Sequence, residues 1–178
     1  MRLRLAEVDD VEAIAALIPL SARALSKGFY TEQQTESAIR FVFGPDRRLI
    51  EDGTYFVVED GQRLAGCGGW SKRRTLYGGD QMKPADDPLL DPATESARIR
   101  AFFVHPDYAR RGVGSRILDA CLSAARNAGF RRMELAATLP GVPLYEHYGF
   151  QGRERIDATL PDGVVLPILR MERNLDVS

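Results

Sequence analysis

The sequence predicts a single α+β domain over residues 1–178, and three observations lead to this prediction. The length suits one domain with a full hydrophobic core, and no repeat, low-complexity tract or linker divides it. Seven segments have strand character and four have helical periodicity. An Asp60-Gly61 turn between two of the strands indicates an antiparallel hairpin.

The N-terminal segment predicts a strand followed by a helix. Residues 2–6 alternate between polar and apolar side chains, as a half-buried strand does. Asp9 or Asp10 then caps a helix whose apolar positions keep helical spacing up to Pro19. We expect the helix to end at this proline and some helix to resume over residues 21–25.

A second helix and a hairpin come next. Thr31 and Gln34 form a Thr-x-x-Gln capping box, which predicts a helix that begins after Thr31 and ends at Gly44-Pro45. Residues 54–59 are strongly β-prone. The return strand over residues 64–70 contains enough glycine to indicate a bulge or the close approach of another backbone.

The C-terminal part begins with a long loop and ends with a second pair of strands. The loop covers residues 71–96, and loops of that length in a compact domain are often functional. The remaining elements, in chain order, are a strand over residues 99–104, a helix over 112–128, a strand over 133–137, a short helix at Leu144-Tyr145, and strands over 150–158 and 164–171.

Composition and charge argue against several classes of protein. The formal net charge of −1 gives no general attraction to nucleic acid or to a membrane surface. No apolar run approaches the roughly 20 residues that span a bilayer, and the N-terminus has no signal-peptide pattern. Cys67 and Cys121 lie far apart in apolar surroundings, so we expect buried, reduced thiols, no metal site and a cytoplasmic protein.

The segment with the clearest chemistry is the loop Ala109-Arg110-Arg111-Gly112-Val113-Gly114-Ser115. It lies between a predicted strand and a predicted helix, so its N–H groups have no intrahelical partner and meet the positive end of the helix dipole. Glycines let an anion approach these groups, and the two arginines add positive charge. The loop therefore predicts a diphosphate site, with a helix start that binds nothing as the alternative.

Two familiar phosphate-binding motifs do not fit this loop. The Gly-Lys-Ser/Thr end of a P-loop is missing. The third glycine of the dinucleotide fingerprint is missing as well, and no acidic residue ends a strand about twenty residues later. A mononucleotide or dinucleotide fold is therefore not indicated.

Residues 103–118 resemble the coenzyme A-binding motif of the GCN5-related N-acetyltransferases, or GNAT family. The family pattern is Gln/Arg-x-x-Gly-x-Gly/Ala, and here Ala109 stands in the first position. A second segment, Leu144-Tyr145-Glu146-His147-Tyr148-Gly149-Phe150, resembles the family's Tyr-x-x-x-Gly-Phe. The element order of nearly the whole chain also agrees. The resemblance implies one mixed, mostly antiparallel sheet of about seven strands flanked by about four helices.

The resemblance also implies an acetyl-CoA-dependent N-acetyltransferase, with acetyl-CoA as co-substrate and a small-molecule or peptide amine as acceptor. Tyr145 would protonate the departing thiolate, and the Val104 amide would stabilise the oxyanion. The cofactor-binding residues would be the strand Phe102, Phe103 and Val104 for the pantetheine arm, and Arg110, Arg111, Gly112, Val113, Gly114 and Ser115 for the pyrophosphate. Ordinary packing or surface roles are the alternatives.

The general base and the acceptor stay open at this point. The candidates for the base are water or one of Glu59, Asp80, Glu95 and His105. The segment from Asp80 to Glu95 carries a net charge of −4, which would attract a cationic amine such as a polyamine, an aminoglycoside-like molecule or a lysine side chain. An ordinary solvated loop is the alternative. The candidates for an acceptor pocket are Tyr30, Trp70 and Tyr77.

Two other functional classes compete with an enzyme. The main alternative is a non-catalytic acyl-CoA-binding or regulatory module of the same fold. The other is an interaction domain that binds no ligand. Homodimers are common in the family, so the resemblance leaves a homodimer open.

Overall fold

Seven strands form one mixed sheet in the structure, a computed structural model that describes residues 1–175. The strands are β1 (Arg2–Leu5), β2 (Tyr55–Asp60), β3 (Arg63–Ser71), β4 (Ala97–Val104), β5 (Arg132–Thr138), β6 (Gln151–Thr159) and β7 (Val165–Asn174). The helices are α1 (Val11–Leu25), α2 (Glu32–Phe41), α3 (Arg47–Glu51), α4 (Val113–Asn127) and α5 (Val142–His147). The predicted fold class is confirmed.

The strand order is β1-β2-β3-β4-β5-β7-β6, and β4 with β5 is the one parallel pair among the described strands. These two central strands pair only at Ala97 with Met133 and at Arg98 with Glu134. Beyond those residues β4 continues to pair with β3, and β5 with β7. The sheet is therefore open between the C-terminal halves of β4 and β5.

Ionic contacts hold the sheet together where it begins to open. The Glu134 carboxylate accepts a hydrogen bond from the Arg98 guanidinium of β4 and one of 3.0 Å from the Arg170 guanidinium of β7. All three side chains are largely shielded from water, so these contacts are screened less than surface ion pairs. Glu134 thus links three neighbouring strands at the last paired position of β4 and β5.

The helices cover opposite faces of the sheet. Helix α4 packs its apolar stripe against one face, in a cluster that includes Leu135 and Ala137 of β5. On the other face α1 packs against β2 and β3, and α2 packs against β7 in a cluster that includes Ala136. Alternate residues of β5 thus point to opposite faces, as strand geometry requires.

The expectation that the first helix ends at Pro19 is wrong. Helix α1 runs through Pro19 without interruption to Leu25. The proline removes one backbone hydrogen bond, but Ile14, Ile18 and Ala22 on either side of it are buried in the core. Burying this apolar face in tertiary contacts stabilises the helix more than the lost bond destabilises it.

Other boundaries differ from prediction by a few residues. The Thr31 capping box is present with both of its hydrogen bonds, but α2 ends at Phe41 instead of Gly44. The short helix α3, capped by Asp46, was not predicted. The hairpin turn lies at residues 61–62 instead of at Asp60-Gly61, because Asp60 already pairs with Arg63.

A buried ion cluster fixes the long loop after β3. The Asp46 carboxylate is fully buried and lies 3.0 Å from the Arg100 guanidinium and 2.6 Å from the Lys83 ammonium. Arg100 also donates to the carbonyls of Thr75 and Gly78. The loop is therefore anchored to β4 and to the turn before α3. Within residues 1–175, no helix combines the length and apolarity required to cross a bilayer.

Candidate active site

A cleft of about 850 Å³ lies where β4 and β5 diverge. Its walls come from both faces of the sheet: the N-terminus of α4 and helix α5 on one face, and α1, the α2–α3 connection and the long loop on the other. The predicted site residues Phe102, Phe103 and Val104 form the β4 side of this cleft.

A bulge in β4 turns these side chains in different directions. Ala101 has a φ of 55°, and the pairing with β3 shifts register opposite it. Phe103 then packs against the α1 face, while Phe102 packs against the α4 face. A Cβ on Gly68 would lie 2.6 Å from the Phe102 ring, so this glycine makes room for the ring. The glycine-rich strand β3 was predicted to have a bulge or a close backbone approach, and it is bulged at Ala65 against β2, whereas the bulge opposite Gly68 lies in β4.

The start of α4 presents several N–H groups without a protein acceptor. Gly112 caps the helix in the left-handed region, with a φ of 80° that favours glycine. Within residues 1–175, the N–H groups of Gly112, Val113, Gly114 and Ser115 have no hydrogen-bond acceptor. All four residues line the cleft, so the positive end of the 15-residue helix faces it. This arrangement suits an anion such as a diphosphate.

The two arginines of the loop have different surroundings. Arg110 lines the cleft, is exposed and has a φ of 63°. The Arg111 guanidinium instead lies over the Tyr108 ring, 5.0 Å from its centroid, and Arg111 does not line the cleft. The structure therefore brings Arg110 to the predicted diphosphate site and directs Arg111 onto an aromatic ring beside it.

Tyr145 lies on α5 at the wall of the cleft and is 6% exposed. Its ring packs edge to face on Phe102 and Phe150, at centroid distances of 6.1 and 5.9 Å. Its hydroxyl has no hydrogen-bond partner in the described part of the chain. Burial raises the pKa of Tyr145 well above its ordinary value of 10. The phenol is therefore protonated and available as a donor.

The Val104 amide, expected to stabilise an oxyanion, already has a partner. Its N–H donates to the Ser21 hydroxyl of α1 at 3.2 Å. Ser21 is buried and lines the cleft, but nothing in the sequence around it indicated a role. A carbonyl that used this amide would share it with Ser21 or displace the serine hydroxyl.

None of the four candidate bases lines the cleft. Glu59 lies 3.1 Å from the Arg4 guanidinium, and Asp80 lies 2.9 Å from that of Arg47. Glu95 accepts from the Asp91 N–H, and the Nδ1 atom of His105 accepts from the Asp107 N–H. Within residues 1–175, no aspartate or glutamate belongs to the cleft wall.

Of the aromatic residues predicted for an acceptor pocket, Tyr77 lines the cleft, whereas Trp70 and Tyr30 do not. Trp70 packs edge to face on Phe130 in the core. The Tyr30 hydroxyl donates to the Pro167 carbonyl at 2.7 Å. The polar cleft residues that the sequence did not reveal are Ser21, Ser26, Arg100, Tyr108, Thr138 and His147.

Comparison with known proteins agrees with this geometry. The model of the acetyltransferase (GNAT) family matches residues 17–150, about three quarters of the chain, and this region includes both diverging strands, the α4 loop and α5. The chain belongs to the GNAT family. A curated relative of this GNAT protein, an uncharacterized acetyltransferase of Streptococcus pyogenes, is 26% identical over 106 residues, which are 58% of the chain and 72% of the relative.

Solved structures show the same fold at low sequence identity. A GCN5-related N-acetyltransferase from Rhodopseudomonas palustris superposes with a TM-score of 0.71 at 20% identity, over 97% of this chain and 94% of the other. The PaiA N-acetyltransferase of Thermoplasma acidophilum, solved with coenzyme A, gives 0.64 at 15% identity over 97% and 98%. YncA of Salmonella typhimurium, solved with acetyl-CoA, gives 0.65 at 17% identity over 100% and 95%.

Proposed function

We propose that this GNAT protein transfers the acetyl group of acetyl-CoA to a primary amine of a small molecule or peptide. The observation that carries the proposal is a single cleft that contains both a row of unpartnered N–H groups at the start of α4 and the unpartnered phenol of Tyr145. The first feature suits the pyrophosphate of the donor, and the second suits its sulfur.

The donor end of the cleft is formed by backbone more than by side chains. Four N–H groups and the dipole of α4 would bind the pyrophosphate, and Arg110 would add a positive charge. Beyond Arg98, β4 has no partner strand on the β5 side. On that side, the backbone groups of the 102–104 segment other than the Val104 N–H, which donates to Ser21, would therefore be free to bond the amides of the pantetheine arm.

The reaction would be a direct attack by the amine. The lone pair of the neutral nitrogen forms the C–N bond, the C–S bond breaks, and the sulfur takes the bonding pair and a proton. Tyr145 would give its proton to the sulfur and regain one that the nitrogen releases through water.

Among residues 1–175 the cleft wall has no carboxylate, and its imidazole, His147, lies on α5 beside the α4 face, so water would take that proton. The same feature favours the second candidate function, a non-catalytic module that binds acyl-CoA without turning it over. The two buried free thiols, Cys67 and Cys121, support a reducing, cytoplasmic compartment.

Two measurements, made one after the other, test the proposal. Calorimetric titration with coenzyme A should show binding, and no binding at millimolar concentration would overturn both candidates. Thiol release from acetyl-CoA across a panel of primary amines should then show amine-dependent turnover. Binding without turnover on any amine would reject the transferase and leave the binding module.

A further inference from the structure

The part of the cleft on the α1 and α2 face has apolar walls. We call this surface the acceptor wall, and it consists of Leu25, Phe29, Phe43, Leu76, Tyr77 and Leu166. Phe43 and Tyr77 pack against the cluster that α2 forms with β7, on the face opposite α4. The wall therefore lies across the sheet from the N–H groups proposed to bind the diphosphate. Phe29 is 49% exposed, so the wall extends to the mouth of the cleft.

Four of the five acids between residues 80 and 95 are bonded to groups outside this wall, and the fifth, Asp86, is exposed and does not line the cleft. Asp80 pairs with Arg47, and Asp87 accepts from the Thr75 N–H at 2.8 Å. The Asp91 carboxylate accepts from the Ala93 N–H, and Glu95 accepts from the Asp91 N–H. None of these residues lines the cleft. The loop's net negative charge therefore does not form a cation-binding subsite.

Three further acids on the elements around the wall have partners. Asp46 lies behind it, fully buried between Arg100 and Lys83. On the helices, Glu36 of α2 pairs with Arg23 of α1 at 2.7 Å. Asp162, in the β6–β7 turn, accepts from the Ser37 hydroxyl. Within residues 1–175 no carboxylate lines the cleft, so a second ammonium group in this part of it would have no lining carboxylate to bind.

The wall does not suit an acceptor carboxylate either. Arg100 is the one cationic lining residue outside the α4 loop in the described chain, and its guanidinium is engaged by Asp46 and two carbonyls. Its side chain is 1% exposed. The polar side chains that α1 and the long loop add to this part of the cleft are hydroxyls such as those of Ser26 and Tyr77, which can form hydrogen bonds with an uncharged amine.

From this distribution we infer that the acceptor is an apolar monoamine, with one amino group on an aromatic or branched aliphatic body and no second charge. The inference rests on the proposed function. Burying apolar surface against the wall would favour such a molecule. Polyamines and basic peptides with a lysine side chain carry a second charge, and aminoglycosides carry many polar groups. Binding against the wall would remove water from these groups without giving them a compensating partner. The cationic acceptors expected from the acidic loop are therefore disfavoured.

The first test is a comparison of amines with the wild-type protein. Phenethylamine should be acetylated with a kcat/KM at least about 100-fold above that of spermidine or Nα-acetyl-lysine amide. A preference for spermidine or for the lysine derivative would overturn the inference and leave the proposed function intact. Failure of every amine, with coenzyme A still bound, would reject the proposed function and the inference with it.

The second test changes the wall. Leu76→Glu introduces a carboxylate at a partly exposed wall position and should lower kcat/KM for phenethylamine about 10-fold while raising that for spermidine about 10-fold. Leu89→Glu is the matched control, because Leu89 belongs to the same loop, is 58% exposed and does not line the cleft. A Kd for coenzyme A equal to that of the wild type would show that both variants are folded. If both variants changed the kcat/KM values for phenethylamine and spermidine equally, this result would contradict the assignment of the wall.

The third test uses pH. No described carboxylate lines the cleft, and the titratable imidazole of His147 lies on α5, across the sheet from the acceptor wall. With water as the proton acceptor, the free amine itself must be neutral, so kcat/KM should rise with pH up to the pKa of the amine. Replacing phenethylamine by its β,β-difluoro analogue lowers that pKa, because fluorine withdraws electrons, and should move the break to lower pH. A break that stays fixed would reveal a base on the enzyme and contradict this part of the inference.

Discussion

Tyr145 combines burial with a hydroxyl that no other described residue engages, although a buried phenol normally finds a partner. We predict that Tyr145→Phe lowers kcat about 100-fold and leaves the KM for acetyl-CoA within about twofold. Because burial raises the pKa of the phenol, the wild-type kcat should show no loss from its ionisation below about pH 10. Steady-state kinetics over pH would check both statements.

Tyr148→Phe is the matched control for that variant. The Tyr148 hydroxyl donates to the Ser115 carbonyl at 3.2 Å and so supports the first turn of α4. This variant should raise the KM for acetyl-CoA with little change in kcat. Unchanged kcat in Tyr145→Phe would remove Tyr145 from the mechanism.

Single residues could be selected from the sequence where a motif or local chemistry singled them out. Tyr145 and Gly112 both line the cleft and were selected from their neighbours along the chain, while the catalytic role of Tyr145 stays a prediction. Ser21 was missed because its partner Val104 is 83 residues away. The surroundings of the acids in the long loop could not be predicted for the same reason. A carboxylate can either face a cleft or pair with an arginine such as Arg47. Which of the two occurs depends on contacts between segments that are distant in sequence.

At the level of elements, the junction between α4 and α5 limits what can replace Gly114. A Cβ at this position would lie 3.1 Å from the Leu144 side chain, one residue before Tyr145. We predict that Gly114→Val raises the KM for acetyl-CoA at least about 10-fold, because the branched side chain crowds the N–H groups and shifts α5. Gly114→Ala, which a small movement of Leu144 can accommodate, should have a much smaller effect. Equal KM values for the two variants would contradict this account.

The contact by which Glu134 links β4, β5 and β7 leads to a prediction about stability. Glu134→Gln should lower the free energy of unfolding by about 2 kcal/mol, because two guanidinium groups lose their carboxylate. Urea unfolding would measure the loss. Glu154→Gln on the exposed strand β6 is the control and should change stability by less than about 0.5 kcal/mol. Similar losses in both variants would show that Glu134 contributes no more than a surface residue.

The elements were easier to predict than their ends. Turn residues and caps such as Thr31 and Gly129 mark boundaries locally, and Gly129 does adopt the left-handed φ of 92°. Pro19 misled the prediction because the local cost of a proline was outweighed by tertiary burial of α1. The five-residue helix α3 has too few residues to show a helical period, so its cap alone could not identify it.

For the whole molecule, the fold class followed from length, patterning and the order of the elements, but the cleft did not. Nothing in the sequences of β4 and β5 predicts that these two strands pair at two positions and then separate. That separation depends on the bulge at Ala101 and on the way α1, α4 and α5 pack around both strands. The loop proposed to bind the donor could therefore be located from a motif, whereas the wall proposed for the acceptor needed the three-dimensional structure.

Ligand binding should be visible as a gain in stability of the whole protein. Coenzyme A at about 100 times its Kd should raise the free energy of unfolding by about 2.7 kcal/mol if it binds only the native state. Thermal or urea unfolding with and without the ligand would measure the gain. Gly114→Val should show much less of it at the same ligand concentration. No gain for the wild type would contradict a coenzyme A site.

The two-pair contact between β4 and β5 has a consequence for the amount of protein in a cell. Each half of the sheet has its own hairpins, so the halves can open separately along this line, and amide exchange should be fastest beside it. A bound donor would bridge the gap and suppress that opening. We therefore expect resistance to proteolysis to follow the supply of acetyl-CoA, so that a cell short of acetyl groups would degrade this protein faster.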